Sequence, residues 1–278
     1  MDFGWLSSIL MGILTGMASV LPVSVEAHQR LLLKFLGMRE IPAMLELMIH
    51  LGVAAALYVS CQNHILKMTR ASRLARIPKR KRKRPLDTRS LMDLSLWKTM
   101  LLPVILAMFL YEKATGFISN FILMATFLFV SGVLLYIPQF LPSSNKDCRT
   151  LSRVEGLLMG LGGAFFVIPG LTGVGAALSA ASISGVDRKY GLNMILLMNI
   201  GIVTGKIVLD IMNLFSSGMG SFSISALFFC ILAAAFAFAA TYLAVKLMRN
   251  LANENGFSVF AYYNWGLALF TFILSLMA

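Results

Sequence analysis

The stretch Gly12-Ile-Leu-Thr-Gly-Met-Ala-Ser-Val-Leu-Pro-Val-Ser-Val-Glu-Ala-His28 is an apolar run that a proline interrupts and that an acid and a histidine close. Pro22 lacks a backbone donor and clashes with the preceding turn, so a helix is expected to break there. Broken backbone at membrane depth is stable only where protein groups or a water-filled cavity satisfy it. We therefore expect residues 5–20 and 25–36 to form a re-entrant helix pair at the functional site, with one long kinked helix as the alternative.

The composition indicates whether the chain folds in water or in a lipid bilayer. Hydrophobic residues make up 58% of the chain, charged residues 13%, and the mean hydropathy is +0.81. Soluble domains contain roughly a quarter charged residues. The sequence therefore predicts an all-α, multi-pass membrane protein with a single membrane domain over residues 1–278. Its three cysteines are far apart, which indicates neither a zinc site nor a disulfide framework.

Basic residues are concentrated in one part of the chain. The net charge is +12, and 11 of the 24 lysines and arginines lie between Lys67 and Arg89. Basic residues collect in the cytoplasmic loops of membrane proteins. We therefore expect residues 62–91 to form a cytoplasmic loop that contacts anionic lipid head groups. Beside membrane spans, such a run does not indicate a nucleic-acid partner.

The other apolar segments predict about six spanning helices and a second broken stretch. The spans are expected near residues 43–61, 94–112, 117–141, 191–213, 222–248 and 257–277, with turns at 113–116 and 216–221. The broken stretch, residues 154–184, contains Pro169. The basic residues fall on the cytoplasmic side throughout only if this stretch is also re-entrant.

The two broken stretches match each other in spacing. Gly16 precedes Pro22 by six residues, and Gly163 precedes Pro169 by six. Two such halves predict two interlocked inverted repeats, with the binding site where the broken helices meet. Chance matching of small residues in an apolar chain is the alternative. The predicted repeats cover about residues 1–141 and 154–278.

Ionisable residues lie inside two of the predicted spans. Glu46 and His50 are four residues apart and share a helical face, and the same holds for Lys206 and Asp210. Ionisable groups within spans usually face the bundle interior. For Glu46 and His50 the alternative is a solvated position near the interface. Lys206 and Asp210 form either a buried structural pair or part of a phosphate site.

Four segments carry a family resemblance: Leu21-Pro-Val-Ser24 with His28, the span of residues 44–59, Ile168-Pro-Gly170 followed by Gly185-Val-Asp-Arg188, and Phe260-Ala-Tyr-Tyr-Asn-Trp-Gly266. Together they resemble the bacterial undecaprenyl pyrophosphate phosphatase family of the bacitracin-resistance type. The resemblance implies a multi-pass hydrolase of the bacterial cell membrane. Such an enzyme removes the terminal phosphate from the C55 isoprenoid pyrophosphate left by peptidoglycan polymerisation, usually with magnesium or calcium.

The resemblance places catalysis in the first break. Ser24 and His28 match the family's motif, and we expect them to act as the nucleophile and its proton partner. Glu26 is expected to serve as a replacement base or metal ligand. Arg30, one turn after Glu26, either contacts the substrate or pairs with Glu26 on the same helix face.

Other motif positions depart from the family. Thr15 and Ser19 stand where the family has glutamates, and Gly173, preceded by Thr172, stands where it has an arginine. We expect these four residues to line the substrate site, and no metal ligands are evident. Losing one stabilising donor costs about 10² to 10³ in rate, so these losses argue against retained catalysis. The alternative is a non-catalytic polyprenyl-phosphate binder or translocator, and the sequence leaves a homodimer open.

Overall fold

Helices form nearly all the secondary structure in the part of the chain that the structure, a computed structural model, describes: residues 4–117, 120–142, 145–216, 224–254 and 256–277. The α-helices are α1 (Trp5–Ala18), α2 (Val25–Leu36), α3 (Ala43–Ala75), α4 (Thr88–Met108), α5 (Tyr111–Phe117), α6 (Phe121–Tyr136), α7 (Arg153–Ala164), α8 (Gly173–Ile183), α9 (Arg188–Ser216), α10 (Ile224–Glu254) and α11 (Val259–Leu276). The predicted all-α class is confirmed.

Six of the described helices are long and apolar enough to cross a membrane, as predicted. They are α3, α4, α6, α9, α10 and α11, α6 being counted with the short turn that follows it. Helices α1, α2, α7 and α8 have only 14, 12, 12 and 11 residues. A perpendicular crossing needs about 20 residues, so these four are too short to span. The inverted relation between the two halves stays a prediction.

The first break lies between α1 and α2, around Pro22. Backbone carbonyl groups at the break have no partner within a helix, and side chains from distant spanning helices donate hydrogen bonds to them. Asn199 of α9 donates its amide Nδ2 to the Ser19 carbonyl at 2.5 Å, and Asn264 of α11 donates to the Pro22 carbonyl at 3.0 Å. Backbone that is irregular within a membrane domain requires such partners. The two asparagines therefore stabilise the break that the proline creates.

The second break lies between α7 and α8, and it contacts the first. The Ser131 hydroxyl of α6 donates to the Gly170 carbonyl at 3.0 Å and accepts from the Thr172 amide at 3.1 Å. The Gly170 amide donates to Ser24 Oγ at 3.0 Å, which joins the two breaks, as the sequence predicts. Gly170 has a φ of +100°, and a Cβ there would lie 2.5 Å from the Met124 carbonyl oxygen, so only glycine fits.

Some predicted boundaries are wrong. Helix α3 continues to Ala75, so residues 62–75 are helical and not part of a loop. No proline occurs between Pro42 and Pro78, and the lysine and arginine side chains of this segment are exposed. The non-helical link to α4 is therefore much shorter than predicted. Residues 113–116 lie in α5 and do not form a turn. Tyr111 at the start of this helix stacks on Phe166 with ring centroids 6.0 Å apart. After Ser216, the predicted turn of residues 216–221 lies outside the described residues.

The backbone of helix α10 lies in close contact with α1 and α3. A Cβ added at Gly12, Gly16 or Gly52 would lie 2.3 to 2.5 Å from a carbonyl oxygen of α10. Small residues allow membrane helices to approach this closely and to gain van der Waals contact. The glycines of α1 and α3 therefore hold the first half of the chain against α10.

We expect Gly16→Ala to destabilise the protein by roughly 1 to 3 kcal/mol, because its Cβ would lie 2.5 Å from the Ala237 carbonyl oxygen. Gly266→Ala in α11 is the matched control, since nothing lies within 4 Å of a Cβ there. Alanine in an open helical position is favoured over glycine by about 0.5 to 1 kcal/mol. Thermal unfolding in detergent should give shifts of opposite sign, and equal shifts would contradict the close packing.

Candidate functional site

An inner cavity of about 40 Å³ lies where the two breaks meet α3 and α9. Two of its lining residues are Ser19 and Gly173, which occupy motif positions that the family resemblance assigns to a glutamate and an arginine. Lys206 and His50 line the same cavity. The cavity from which the expected charges are missing therefore receives ionisable side chains from α9 and α3.

Two buried acid–base pairs connect α9 to the first half of the chain. Lys206 Nζ donates to Glu26 Oε1 at 2.7 Å, and His50 Nδ1 lies 2.6 Å from Asp210 Oδ2. All four residues are at most 9% exposed. Charges inside a membrane domain are costly unless they are paired. The ion pair shown for Glu26 is thus with Lys206 of α9, and Lys206 and Asp210 each pair with a residue of another helix.

Aromatic side chains surround the first pair. The Tyr111 hydroxyl donates to Glu26 Oε1 at 2.5 Å, so one carboxylate oxygen accepts from both a phenol and an ammonium group. Lys206 Nζ lies 5.1 Å from the Tyr111 ring centroid and 6.0 Å from that of Phe166. Cation–π attraction at such distances stabilises a desolvated lysine. The ammonium group is therefore held in position by one acid and two ring faces.

A charged pocket of about 920 Å³ lies on the other side of the two pairs. Its charged lining residues are Glu26, Arg30, Lys34, Arg39, Glu40, Glu46 and Asp210. In each acid–base pair the acid lines this charged pocket and the base lines the inner cavity. The two pairs therefore stand between the pocket and the cavity.

Ser24 and His28 lie beside the break, but their polar atoms bond to other groups. Ser24 Oγ accepts from the Ala27 amide at 3.4 Å as the cap of α2, and also from the Gly170 amide. His28 Nδ1 lies 2.6 Å from the Ser24 carbonyl oxygen, and Nε2 lies 2.7 Å from the Tyr263 hydroxyl. In this arrangement both residues stabilise the break. Their roles as nucleophile and proton partner stay predictions.

The positions where the resemblance would place a divalent cation do not fit one. Thr15 Oγ1 accepts from Gln29 Nε2 at 3.0 Å, and Ser19 Oγ donates to the Thr15 carbonyl at 2.6 Å. Both side chains are buried, and neither offers the carboxylate oxygen that magnesium or calcium prefers. The Thr15 hydroxyl therefore connects α1 to α2, and the Ser19 hydroxyl bonds to a backbone carbonyl of α1.

The start of α8 leaves no room for the arginine of the family's motif. Thr172 Oγ1 caps the helix by accepting from the Gly175 amide at 3.1 Å. A Cβ added at Gly173 would lie 2.5 Å from the Gly163 carbonyl oxygen and 3.1 Å from Phe166 Cβ. The structure thus brings Ser19 and Gly173 to the inner cavity and Glu26 and Arg30 to the charged pocket.

A different set of residues has the spacing of metal ligands. Glu46, His50 and Asp210 each offer one ligand atom, and these atoms lie within 4.8 Å of one another. Their occurrence inside spans marked them as candidates, but the sequence did not show that α3 and α9 bring them together. Tyr111 was missed, because a tyrosine at the end of an apolar stretch carries no distinguishing signal.

Comparisons with known proteins identify related sequences. The sequence model of the family described as bacitracin resistance protein BacA matches residues 8–270. An undecaprenyl-diphosphatase of Methanobrevibacter smithii is 28% identical over 277 residues, which is 98% of each chain. The undecaprenyl-diphosphatase of Halothermothrix orenii is 22% identical over 96% of each chain, and undecaprenyl-diphosphatase 3 of Bacillus cereus is 25% identical over 97% of each.

Proposed function

The chain belongs to the bacitracin resistance protein BacA family, and from this premise we propose that it acts on a polyprenyl pyrophosphate in the plasma membrane and releases the terminal phosphate. Relatives that match over almost the whole length are named undecaprenyl-diphosphatase. The proposed substrate is accordingly the C55 isoprenoid pyrophosphate. The product, undecaprenyl phosphate, is the lipid carrier that cell-wall synthesis reuses.

The inner cavity is the observation that carries this proposal. Lys206 brings a cation to the cavity wall at which Gly173 replaces the motif arginine. His50 is 2% exposed there, and its Nε2 has no hydrogen-bond partner in the described part of the chain. Fixed hydrogen-bond donors and cations that face developing negative charge usually give the largest single contribution to the stabilisation of a transition state. In this proposal Lys206 of α9 supplies the positive charge that the motif arginine would have brought.

The charged pocket supports the proposal as the place where the diphosphate arrives. Its volume lies within the range of about 300 to 1,000 Å³ typical of ligand pockets. Arg30, Lys34 and Arg39 can contact the phosphates there, although four acids line the same pocket. The inner cavity, at about 40 Å³, suits a water molecule or two and not a diphosphate. A phosphate that binds Lys206 therefore replaces Glu26 as its partner and enlarges the cavity.

The proposed reaction is hydrolysis of the pyrophosphate anhydride. Water attacks the terminal phosphorus, the anhydride P–O bond breaks, and polyprenyl phosphate leaves with the bonding electrons. Lys206 stabilises negative charge on the phosphate oxygens. Glu26, once separated from Lys206, accepts the proton that the attacking water loses. In this scheme Ser24 and His28 hold the break together.

Phosphate release from C55 pyrophosphate by the purified protein in detergent tests the proposal. We expect release above a protein-free control, and we expect Ser24→Ala to retain it within about tenfold. It should lose about 2 to 4 kcal/mol of stability, because a helix cap is lost and the buried Gly170 amide loses its acceptor. No release by the wild-type protein would contradict the phosphatase. Complete loss in a folded Ser24→Ala protein would instead show that Ser24 is the nucleophile.

Polyprenyl-phosphate binding or translocation without hydrolysis is the second candidate. It is favoured by the bonded state of Ser24 and His28 and by the absence of carboxylates at positions 15 and 19. Saturable binding of C55 phosphate in liposomes, or its protein-dependent movement between leaflets, would support this function if no phosphate is released. Movement between leaflets is the discriminating signal, because a phosphatase that fails only in detergent would still bind its product, C55 phosphate.

A further inference from the structure

A groove of about 430 Å³ lies between α3, α4 and α9, and none of its described lining residues also lines the inner cavity or the charged pocket. Five of its lining residues lie on one face of α3 at intervals of three, four or seven positions: Tyr58, Ile65, Thr69, Ser72 and Arg76. From Tyr58 to Arg76 this face runs for roughly 27 Å, at 1.5 Å per residue. One leaflet of a bilayer with its head groups is about 20 Å thick. The groove is therefore long enough to hold a membrane lipid that lies along α3.

The groove combines an apolar surface with positive charge. Its aliphatic lining residues come from all three helices: Ile65, Met68, Leu94, Leu197 and Ile200. Its charged lining residues are Arg73 and Arg76 near the end of α3 and Lys98 on α4. An acyl chain gains from burial against the aliphatic side chains, and a phosphate group gains from the cations. A phospholipid carries both groups in one molecule.

The three cations of the groove have no partner in the part of the chain that the structure describes. Arg73, Arg76 and Lys98 are exposed, and none of them forms an ion pair or a side-chain hydrogen bond with a described residue. No acid occurs among the described residues that line the groove, whereas four acids line the charged pocket. A cleft lined by charges of one sign concentrates ions of the opposite sign. The groove therefore favours an anionic occupant.

Bonds between the three helices hold the walls of the groove in place. His64 Nε2 of α3 lies 3.0 Å from Asp93 Oδ2 of α4, and the Tyr190 hydroxyl of α9 donates to Asp93 Oδ1 at 2.8 Å. Trp97 Nε1 of α4 donates to the Leu197 carbonyl of α9 at 2.9 Å. Both carboxylate oxygens of the buried Asp93 are thus occupied, so this acid does not neutralise the cations of the groove. Walls that are already fixed lower the cost of ordering a bound molecule.

We propose that this groove binds one anionic phospholipid of the cytoplasmic leaflet, with its phosphate beside Arg73, Arg76 and Lys98 and one acyl chain along the aliphatic side chains. Basic pockets between membrane helices on the cytoplasmic side bind anionic lipid head groups. The concentration of basic residues at this end of α3 assigns the groove to that side. A neutral phospholipid would leave the cations unpaired, and a free phosphate would leave the aliphatic surface uncovered.

The bound phospholipid is distinct from the proposed substrate. Ala43 and Glu46 at the start of α3 line the charged pocket, and Arg73 and Arg76 near its end line the groove. A polyprenyl pyrophosphate in the charged pocket and a phospholipid in the groove therefore lie at opposite ends of the same helix. Binding of the phospholipid does not rest on the proposed function, and it can be measured without C55 pyrophosphate.

Quenching of Trp97 fluorescence by brominated acyl chains tests the site. The full-length Trp5→Phe/Trp265→Phe variant keeps Trp97 as its single tryptophan. It is reconstituted into phosphatidylcholine vesicles that contain equal small fractions of either brominated phosphatidylglycerol or brominated phosphatidylcholine. We expect phosphatidylglycerol, the anionic lipid, to quench with an apparent affinity about tenfold higher. Equal quenching by the two lipids would overturn the proposal.

Two double variants separate the groove from the general positive charge of this region. Arg73→Gln/Lys98→Gln removes one cation from each of two walls and should remove most of the preference for phosphatidylglycerol. Lys67→Gln/Arg70→Gln removes the same charge from exposed residues of α3 that do not line the groove, and it should keep the preference. Equal loss of the preference in both variants would indicate diffuse attraction to the membrane surface and would contradict a discrete site.

Thermal midpoints check that each variant folds. If the single-tryptophan protein does not fold, native mass spectrometry of the wild-type protein decides the case. One phosphatidylglycerol retained in preference to a phosphatidylcholine of the same chain length supports the site, and no preference refutes it. Loss of the quenching preference on adding glycerol phosphate at constant ionic strength would show that the site takes a head group alone, and the phospholipid would then be the wrong occupant.

Discussion

Phosphate release should fall by about 10² to 10³ when Lys206 is replaced by methionine, the loss expected for one preorganised stabilising group. Lys206 is the cation that lines the inner cavity beside Gly173, and its ammonium group is fixed by Glu26 and two aromatic rings. Methionine keeps the length and apolar stem of the side chain but removes the charge. Lys246→Met is the control, because Lys246 is exposed on α10 and lies over the Tyr242 ring.

Lys206→Met should also reduce stability, because it leaves Glu26 as a buried acid without its cation. Breaking one side of a buried ion pair commonly costs about 3 to 5 kcal/mol. The double variant Lys206→Met with Glu26→Gln removes the uncompensated charge and keeps an acceptor for the Tyr111 hydroxyl. We expect it to recover most of the thermal stability while phosphate release stays low. Recovery of both would show that neither the Lys206 ammonium nor the Glu26 carboxylate takes part in the reaction.

Local sequence signals predicted the fold well because the bilayer imposes simple rules. The length of apolar segments gave the six spanning helices, and Pro22 and Pro169 gave the two breaks. The end of α3 was missed, since hydropathy reports where a helix leaves the membrane and not where it stops. Residues 62–75 continue the helix, and their lysine and arginine side chains are exposed.

The site was predicted only in part because its pairs join residues that are far apart in the chain. Glu26 and Lys206 are 180 positions apart, and so are Ser19 and Asn199. Spacing along one helix suggested Glu26 with Arg30 as a pair, since an i, i+4 relation is all that a single sequence reveals. The contact between the two breaks determines which helix of the second half faces α2. That contact depends on packing at Gly170, which no sequence period encodes.

The second large effect concerns the motif arginine. We expect Gly173→Arg, which restores the residue of the family's motif, to lower stability and to give no gain in phosphate release. The new Cβ would lie 2.5 Å from the Gly163 carbonyl oxygen, a backbone atom that cannot turn aside. The guanidinium would also enter a cavity of about 40 Å³ already lined by Lys206. Overpacking typically costs about 1 to 3 kcal/mol, and repulsion between two buried cations adds to it.

Thermal unfolding and phosphate release measure this result, with Gly116→Arg as the control, since Gly116 is exposed on α5 and nothing lies within 4 Å of a Cβ there. The double variant Gly173→Arg with Lys206→Met moves the cation from α9 to the position of the motif. If it regains phosphate release, the cavity can adapt to either arrangement. If it stays inactive while folded, the glycine and the lysine depend on each other, because the tight start of α8 is compatible only with a cation supplied from α9.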